Sequence, residues 1–198
     1  MDKAKARKEL EEIKKLYPKP YHYLDFSNTF ELAIATILSA QCLDTVVNSV
    51  TKELFKKYHD ADKLAKADLK DIERIISRIT FYKNKAKMIK NAAVTIVEKF
   101  HGKVPDTMED LTQLSGIGRK SANAILAHGF NKVEGIVVDT HVIQVANRLG
   151  WSKNKDPEKI EKDLIQLFDR KDWKWMQFYL KSYNRDYKKK AAKIKGDK

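Results

Sequence analysis

Apolar residues recur at helical spacing along almost the whole chain, and most runs follow a residue that caps helices. Leu10, Ile13 and Leu16 give one face of a helix over residues 2–16, ended by Pro18-Lys19-Pro20. Asn28 and Glu31 form a capping box for a strongly apolar helix through Ile34, Ile37 and Leu38, which should be buried. Asp44 is the expected N-cap of the next helix, through Val47, Val50, Leu54 and Phe55. Asp60 or Asp62 starts a short helix, and Asp68 another that reaches Ile79. A helix from about Asn84 to Phe100 ends at His101-Gly102, with Pro105 beyond. Met108, Leu111 and Leu114 have helical spacing behind a Thr107/Asp110 capping box. After two glycines the stripe resumes at Ala122, Ile125 and Leu126, with Gly129 available as a stop. Asp139 should cap a helix that finishes at Leu149-Gly150. Asp156-Pro157-Glu158 starts the next, and Trp173 to Tyr187 is the last.

The pattern predicts an all-α protein, and composition agrees. Seven glycines and four prolines in 198 residues, with many Lys, Glu, Ala, Leu and Ile, favour helices. An apolar content of 42% can fill a core, as one domain or two small ones. No stretch is long and uncharged enough to span a bilayer, and the N-terminus lacks a signal-peptide apolar block. Cys42 is the single cysteine, so there is no disulfide framework and a reducing interior is expected. The net charge of +13 favours a polyanionic partner, although Lys/Glu-rich surfaces also serve heat stability without binding anything.

Chemistry concentrates in Leu114-Ser115-Gly116-Ile117-Gly118-Arg119-Lys120 and Val137-Val138-Asp139-Thr140-His141. Gly116 and Gly118 are expected to supply positive φ and close backbone approach between two helices. The N–H groups of Gly116, Gly118 and Arg119 would then face outward at the second helix's start, a seat for a phosphate oxygen. A nucleotide-binding P-loop is excluded, because Arg119 rather than glycine precedes Lys120. A dinucleotide fingerprint is excluded by the missing strand and third glycine. Asp139 lies 19 residues beyond Lys120, enough for one helix and a loop to bring amine and carboxylate face to face.

Leu114 to Ala124 resembles the helix-hairpin-helix of the endonuclease III family of DNA glycosylases, and Val138 to His141 resembles its catalytic aspartate segment. Ser39-Ala40-Gln41-Cys42-Leu43-Asp44, with Val47-Asn48 and Thr51 to Phe55, is similar to the same family's first core helices. The likeness runs from roughly residue 25 to residue 185. It implies a helical barrel over residues 22–132, including the hairpin. Residues 1–21 plus 133–198 would form a second helical subdomain, with the active cleft between the two.

The resemblance also implies roles. Lys120 stands where bifunctional members keep a Schiff-base lysine, and Asp139 matches their catalytic aspartate. Gln41 matches a residue that fills the gap left by an extruded nucleotide. Phe81 falls where an apolar wedge, usually leucine, is found. The carbonyls of Thr112, Leu114 and Ile117 correspond to ligands of a monovalent cation, Na+ or K+. Family members typically end in four cysteines around an iron–sulfur cluster. Here Tyr183-Asn184-Arg185 passes into Lys188-Lys189-Lys190, and one cysteine cannot hold such a cluster.

Each role has a plainer alternative. Lys120 can contact phosphate as a point charge; a nucleophile needs the neutral amine, which a helix N-terminus and a partly desolvated site favour. Asp139 can be only a helix cap, or can also stabilise positive charge on a sugar. Gln41 could end a buried helix and Phe81 could belong to the core. Arg119 is expected to position backbone rather than read sequence. Ser39 and Asp44 line a base pocket or serve as caps, and His141 lines it or is structural. Trp173 and Trp175 are expected in packing, and no spacing of His, Cys and carboxylates suits zinc.

These features predict a cytoplasmic or nucleoid, monomeric DNA glycosylase/AP lyase without a required cofactor. Its substrate would be double-stranded DNA holding a damaged base, with oxidised pyrimidines foremost, or an abasic site. Lys120 argues against an adenine-mismatch glycosylase. A glycosylase for uracil, mismatched thymine or oxidised guanine remains an alternative, as does a non-catalytic DNA-binding hairpin.

Overall fold

The structure, a computed structural model, describes residues 2–196. Among these residues there are helices and no strand. In chain order they are α1 (Lys3–Leu16), α2 (Thr29–Ser39), α3 (Asp44–Lys57), α4 (Ala61–Ala65), α5 (Leu69–Ile75), α6 (Tyr82–Phe100), α7 (Met108–Leu111), α8 (Arg119–Gly129), α9 (Thr140–Arg148), α10 (Pro157–Leu167) and α11 (Arg170–Gly196). None is long and apolar enough to cross a membrane. The helices fall into two compact units, Tyr23–Lys132, and Met1–His22 with Val133–Lys198.

In Tyr23–Lys132 the chain wraps around α2. Asn28 Oδ1 accepts from Glu31 N–H at 2.9 Å, and Glu31 returns a bond by accepting from Ser27 N–H at 2.6 Å. Such a cap is worth about 1 kcal/mol. The helix it starts buries Phe30, Leu32, Ile34, Ile37 and Leu38 against α3, α6 and α8. About 28 Å of α6, at 1.5 Å per residue, lie across α4 and α5 with Ile89 and Ile96 inward. Gly129 is the last residue of α8, as expected, although without left-handed backbone. It packs α8 on α2, since a Cβ there would lie 3.1 Å from Thr29 Cγ2 and 3.2 Å from Leu32 Cδ2. Asn131, at φ 55°, makes the reversal, and Lys132 N–H closes it on the Leu126 carbonyl at 2.9 Å.

The other unit packs α1, α9, α10 and α11 around Leu10, Ile13, Val142, Trp151, Leu164 and Leu180. Trp151 is fully buried, its Nε1–H donates to Glu9 Oε2 at 2.8 Å, and its ring meets Phe168 edge-on at 4.8 Å. Buried Glu161 accepts from Ile136 N–H at 3.1 Å, which ties the segment leading to α9 onto α10. Several expected boundaries shift, and the last helix, expected from Trp173 to Tyr187, spans Arg170–Gly196. Asp44 is the first residue of α3, and Leu43 is its N-cap, because the Leu43 carbonyl already takes Val46 N–H and Val47 N–H. α5 stops at Ile75 rather than Ile79, and tight turns carry the chain on from there.

Candidate active site

Four residues of α7, capped by Thr107 Oγ1 on Asp110 N–H at 3.2 Å, lead into the hairpin. Ile117 N–H closes the turn on the Leu114 carbonyl at 3.0 Å. Gly116 has φ +84°, and a Cβ there would come 2.9 Å from Ile37 Cγ2, so both backbone and packing demand glycine. Gly118 corrects the expectation. Its φ is −98° and ψ 178°, extended backbone open to any residue, and a Cβ there would meet no atom within 4 Å. Nothing inside the chain explains the glycine at 118; its outer face is simply bare.

Gly118 is the N-cap of α8 and offers no side-chain acceptor. Among the described residues, no acceptor takes the N–H groups of Gly116, Gly118 or Arg119. They stand at the positive end of an 11-residue helix. Arg119 and Lys120 are its first two residues, and both are exposed. The partly desolvated setting expected for Lys120 is absent, because α8 turns Ala122, Ile125 and Leu126 inward and leaves position 120 on the outer face. Thr112 is the C-cap of α7, and the carbonyls of Thr112, Leu114 and Ile117 belong to this same turn.

Asp139 caps α9 as expected. Oδ1 accepts from His141 N–H at 2.8 Å and from Val142 N–H at 2.9 Å. Oδ2 accepts from the Gln177 side-chain amide at 3.0 Å, which fixes a half-buried carboxylate through both oxygens. His141 Nδ1 lies 3.0 Å from Asn184 Nδ2, and the same amide nitrogen donates to Gln144 Oε1 at 2.8 Å. Arg148 donates to Asn184 Oδ1 at 2.9 Å and stacks on the Tyr187 ring at 3.7 Å. Burial pushes the His141 imidazole below its ordinary value; Asp139 opposes this, and Lys181, Arg185 and Lys188 add to it. Sequence reasoning missed Gln177 and fully buried Asn184. They reach α9 from 38 and 43 residues away, and no local pattern marks them.

Ser39 is half-buried and donates from Oγ to the Thr36 carbonyl at 2.8 Å; Asp44 is half-buried at the start of α3. Gln41 and Phe81 are both exposed, Phe81 by 61%, so the core alternative for Phe81 falls. Both have left-handed backbone, at φ 53° and 59°. Trp173 and Trp175 pack as expected, Trp173 with its Nε1–H on the Phe168 carbonyl and Trp175 edge-on to Phe178 at 5.4 Å. Among the described residues, no group of three or more His, Cys, Asp or Glu could hold a metal ion.

The chain belongs to the HhH-GPD superfamily of base excision DNA repair proteins, whose model matches residues 34–170. It is 48% identical over 161 residues to the endonuclease III of Synechocystis sp., covering 81% of this chain and 74% of that protein. Identity to the endonuclease III of Bacillus subtilis is 40% over 165 residues, 83% of this chain and 75% of that one. A solved non-covalent endonuclease III–DNA complex superposes with a TM-score of 0.87 at 36% identity, over 91% of this chain and 84% of the other. A trapped endonuclease III–DNA covalent intermediate gives 0.86 at the same identity and coverage. The activity of this chain is that of a base excision repair DNA glycosylase with AP lyase function.

Proposed function

We propose that the chain releases oxidised pyrimidines from double-stranded DNA and nicks the resulting abasic site, with Lys120 as nucleophile and Asp139 as its carboxylate partner. The Lys120 amine attacks C1′ of the damaged nucleotide as the glycosidic bond breaks, and the base departs with its bonding electrons. Asp139 offsets the positive charge that grows on the sugar and takes up the proton lost by the amine. The sugar ring opens to an iminium, loss of the C2′ proton expels the 3′ phosphate, and water then frees the lysine. The observation that carries the reading is Asp139 itself. Three donors hold one carboxylate in a single orientation, which a cap alone does not require.

The same reading gives the remaining residues their tasks. Unclaimed N–H groups at Gly116, Gly118 and Arg119, beside the bare face of Gly118, suit a DNA phosphate. Gln41 and Phe81 fill the stack vacated by the everted nucleotide. Ser39, Asp44 and His141 border the base. Carbonyls of Thr112, Leu114 and Ile117 are hard oxygen donors that fit Na+ or K+. A four-thiolate cluster does not fit, since Cys42 is the one cysteine of the 198 residues. One chain carries both reacting groups, so a monomer suffices, working wherever the cell keeps its DNA.

Borohydride trapping on abasic-site duplex tests the assignment. The native protein should form a covalent adduct and Lys120→Gln none; normal trapping by the variant would remove Lys120 from the reaction. Duplexes carrying an oxidised pyrimidine, uracil, a T:G mismatch or oxidised guanine, scored separately for base loss and nicking, test the substrate class. Preference for any of the last three would replace the oxidised-pyrimidine reading.

A further inference from the structure

Two exposed side chains in Tyr23–Lys132 stand on backbone that their residue types disfavour. Gln41 is the third residue of a turn in which Ala40 has φ −58° and ψ 119°, closed by Cys42 N–H on the Ser39 carbonyl at 3.1 Å. This is type II geometry, where glycine or asparagine is the usual occupant. Phe81 precedes α6, at a place that favours Ser, Thr, Asp or Asn, and its side chain makes no cap bond. Left-handed backbone at such residues is strained. The other two non-glycine residues with positive φ, His101 and Asn131, are explained as helix endings. Gln41 and Phe81 are not.

A single residue bonds to the Phe81 carbonyl and to the carbonyl that precedes Gln41. Lys85 N–H donates to the Phe81 carbonyl at 3.1 Å. Its Nζ donates to the Leu38 carbonyl at 2.8 Å and to the carbonyl of Ala40, whose peptide bond leads into Gln41. Lys85 is only 5% exposed, and among the described residues no carboxylate pairs with it. Burial lowers its ammonium from the ordinary lysine value, with the nearby Cys42 opposing. What it answers is the partial negative charge on the last carbonyls of α2. A buried cation bonded to carbonyls alone adds little stability, so its contribution lies in the geometry it fixes.

We propose that Lys85 is a positioning residue that locks the Gln41 turn and the Phe81 turn together, so that both side chains enter a DNA stack already ordered. The proposal rests on the insertion roles given to Gln41 and Phe81 above. A pair ordered beforehand loses no conformational freedom when the nucleotide leaves the helix, which makes eversion less costly.

Lys85→Met keeps the length and the backbone bond but removes the ammonium. It is assayed on one damaged base placed either in a fully paired duplex or in an unpaired internal loop, where no stack needs filling. Excision should fall about 10- to 100-fold in the paired duplex and by less than about threefold in the loop. An equal loss on both substrates would make Lys85 merely structural, and no loss on either would end the proposal. If the methionine variant fails to melt cooperatively, Lys85→Gln, which keeps a donor, is read in the same way. Gln41→Ala and Phe81→Ala provide the separate check. If they leave the paired-to-loop ratio at its native value, the insertion roles fail, and the part given to Lys85 fails with them.

Discussion

The Gln177 side-chain amide donates to Oδ2 of Asp139 at 3.0 Å, so the last helix sets the orientation of the carboxylate that starts α9. Oδ1 is already held by two backbone N–H groups, and Gln177 removes the remaining rotation. Gln177→Leu should therefore slow base release by about tenfold, a cost typical of a loosened reacting group, and leave affinity for damaged duplex unchanged. Single-turnover excision beside a binding titration checks this. An unchanged excision rate would show that the backbone bonds suffice.

The two hairpin glycines should separate stability from binding. Gly116→Ala forces a side chain onto φ +84° and against Ile37, and should lower stability by about 1–3 kcal/mol in urea denaturation. Gly118→Ala meets neither obstacle and should change stability by less than about 0.5 kcal/mol. It should nevertheless weaken duplex binding, because the added methyl stands where a phosphate would approach. Equal binding by Gly118→Ala and the native protein would place the phosphate elsewhere.

Arg119, exposed at the first position of α8, should show itself in salt dependence. Replacing it with Gln should reduce the slope of log affinity against log salt by about 0.9, the value for one lost phosphate contact on duplex DNA. Titrations across a range of salt concentrations give the slope directly. No change in slope would mean that Arg119 touches no phosphate.

His141 predicts a pH effect of defined sign. Burial lowers its folded value below the ordinary 6.5, so the unfolded chain binds the extra proton first as pH falls. Stability from this residue is whole above 6.5 and drains away as the solution becomes more acidic. Urea midpoints should drop as pH falls below 6.5 in the native protein, and drop less in His141→Gln. Identical profiles would remove His141 as the source.

Most of the fold is legible locally, for reasons that particular residues show. Asn28, Asp60, Asp68, Thr107, Asp139 and Asp156 each accept from N–H groups two or three residues ahead, and that chemistry is visible as spacing. Asp44 shows the limit of the rule, since Leu43 has the extended backbone of a cap and displaces it. Gly116 and Gly118 look alike in sequence, yet a positive φ and packing against Ile37, 79 residues earlier, set Gly116 apart. Lys85, Gln177 and Asn184 were illegible because each acts on a partner 36 to 47 residues away. Their types, lysine and two amides, are what any solvated helix face carries.

The burial of Trp151 against α1 bears on how the chain is made. Ala6, Leu10 and Ile13 are translated before their partners on α10 and α11, which leave the ribosome more than 140 residues later. Residues 23–132 hold their own core and can collapse while the opening helix waits. A helix made more than 140 residues ahead of its partners is thus sheltered late, and its greasy stripe stays wet in the meantime.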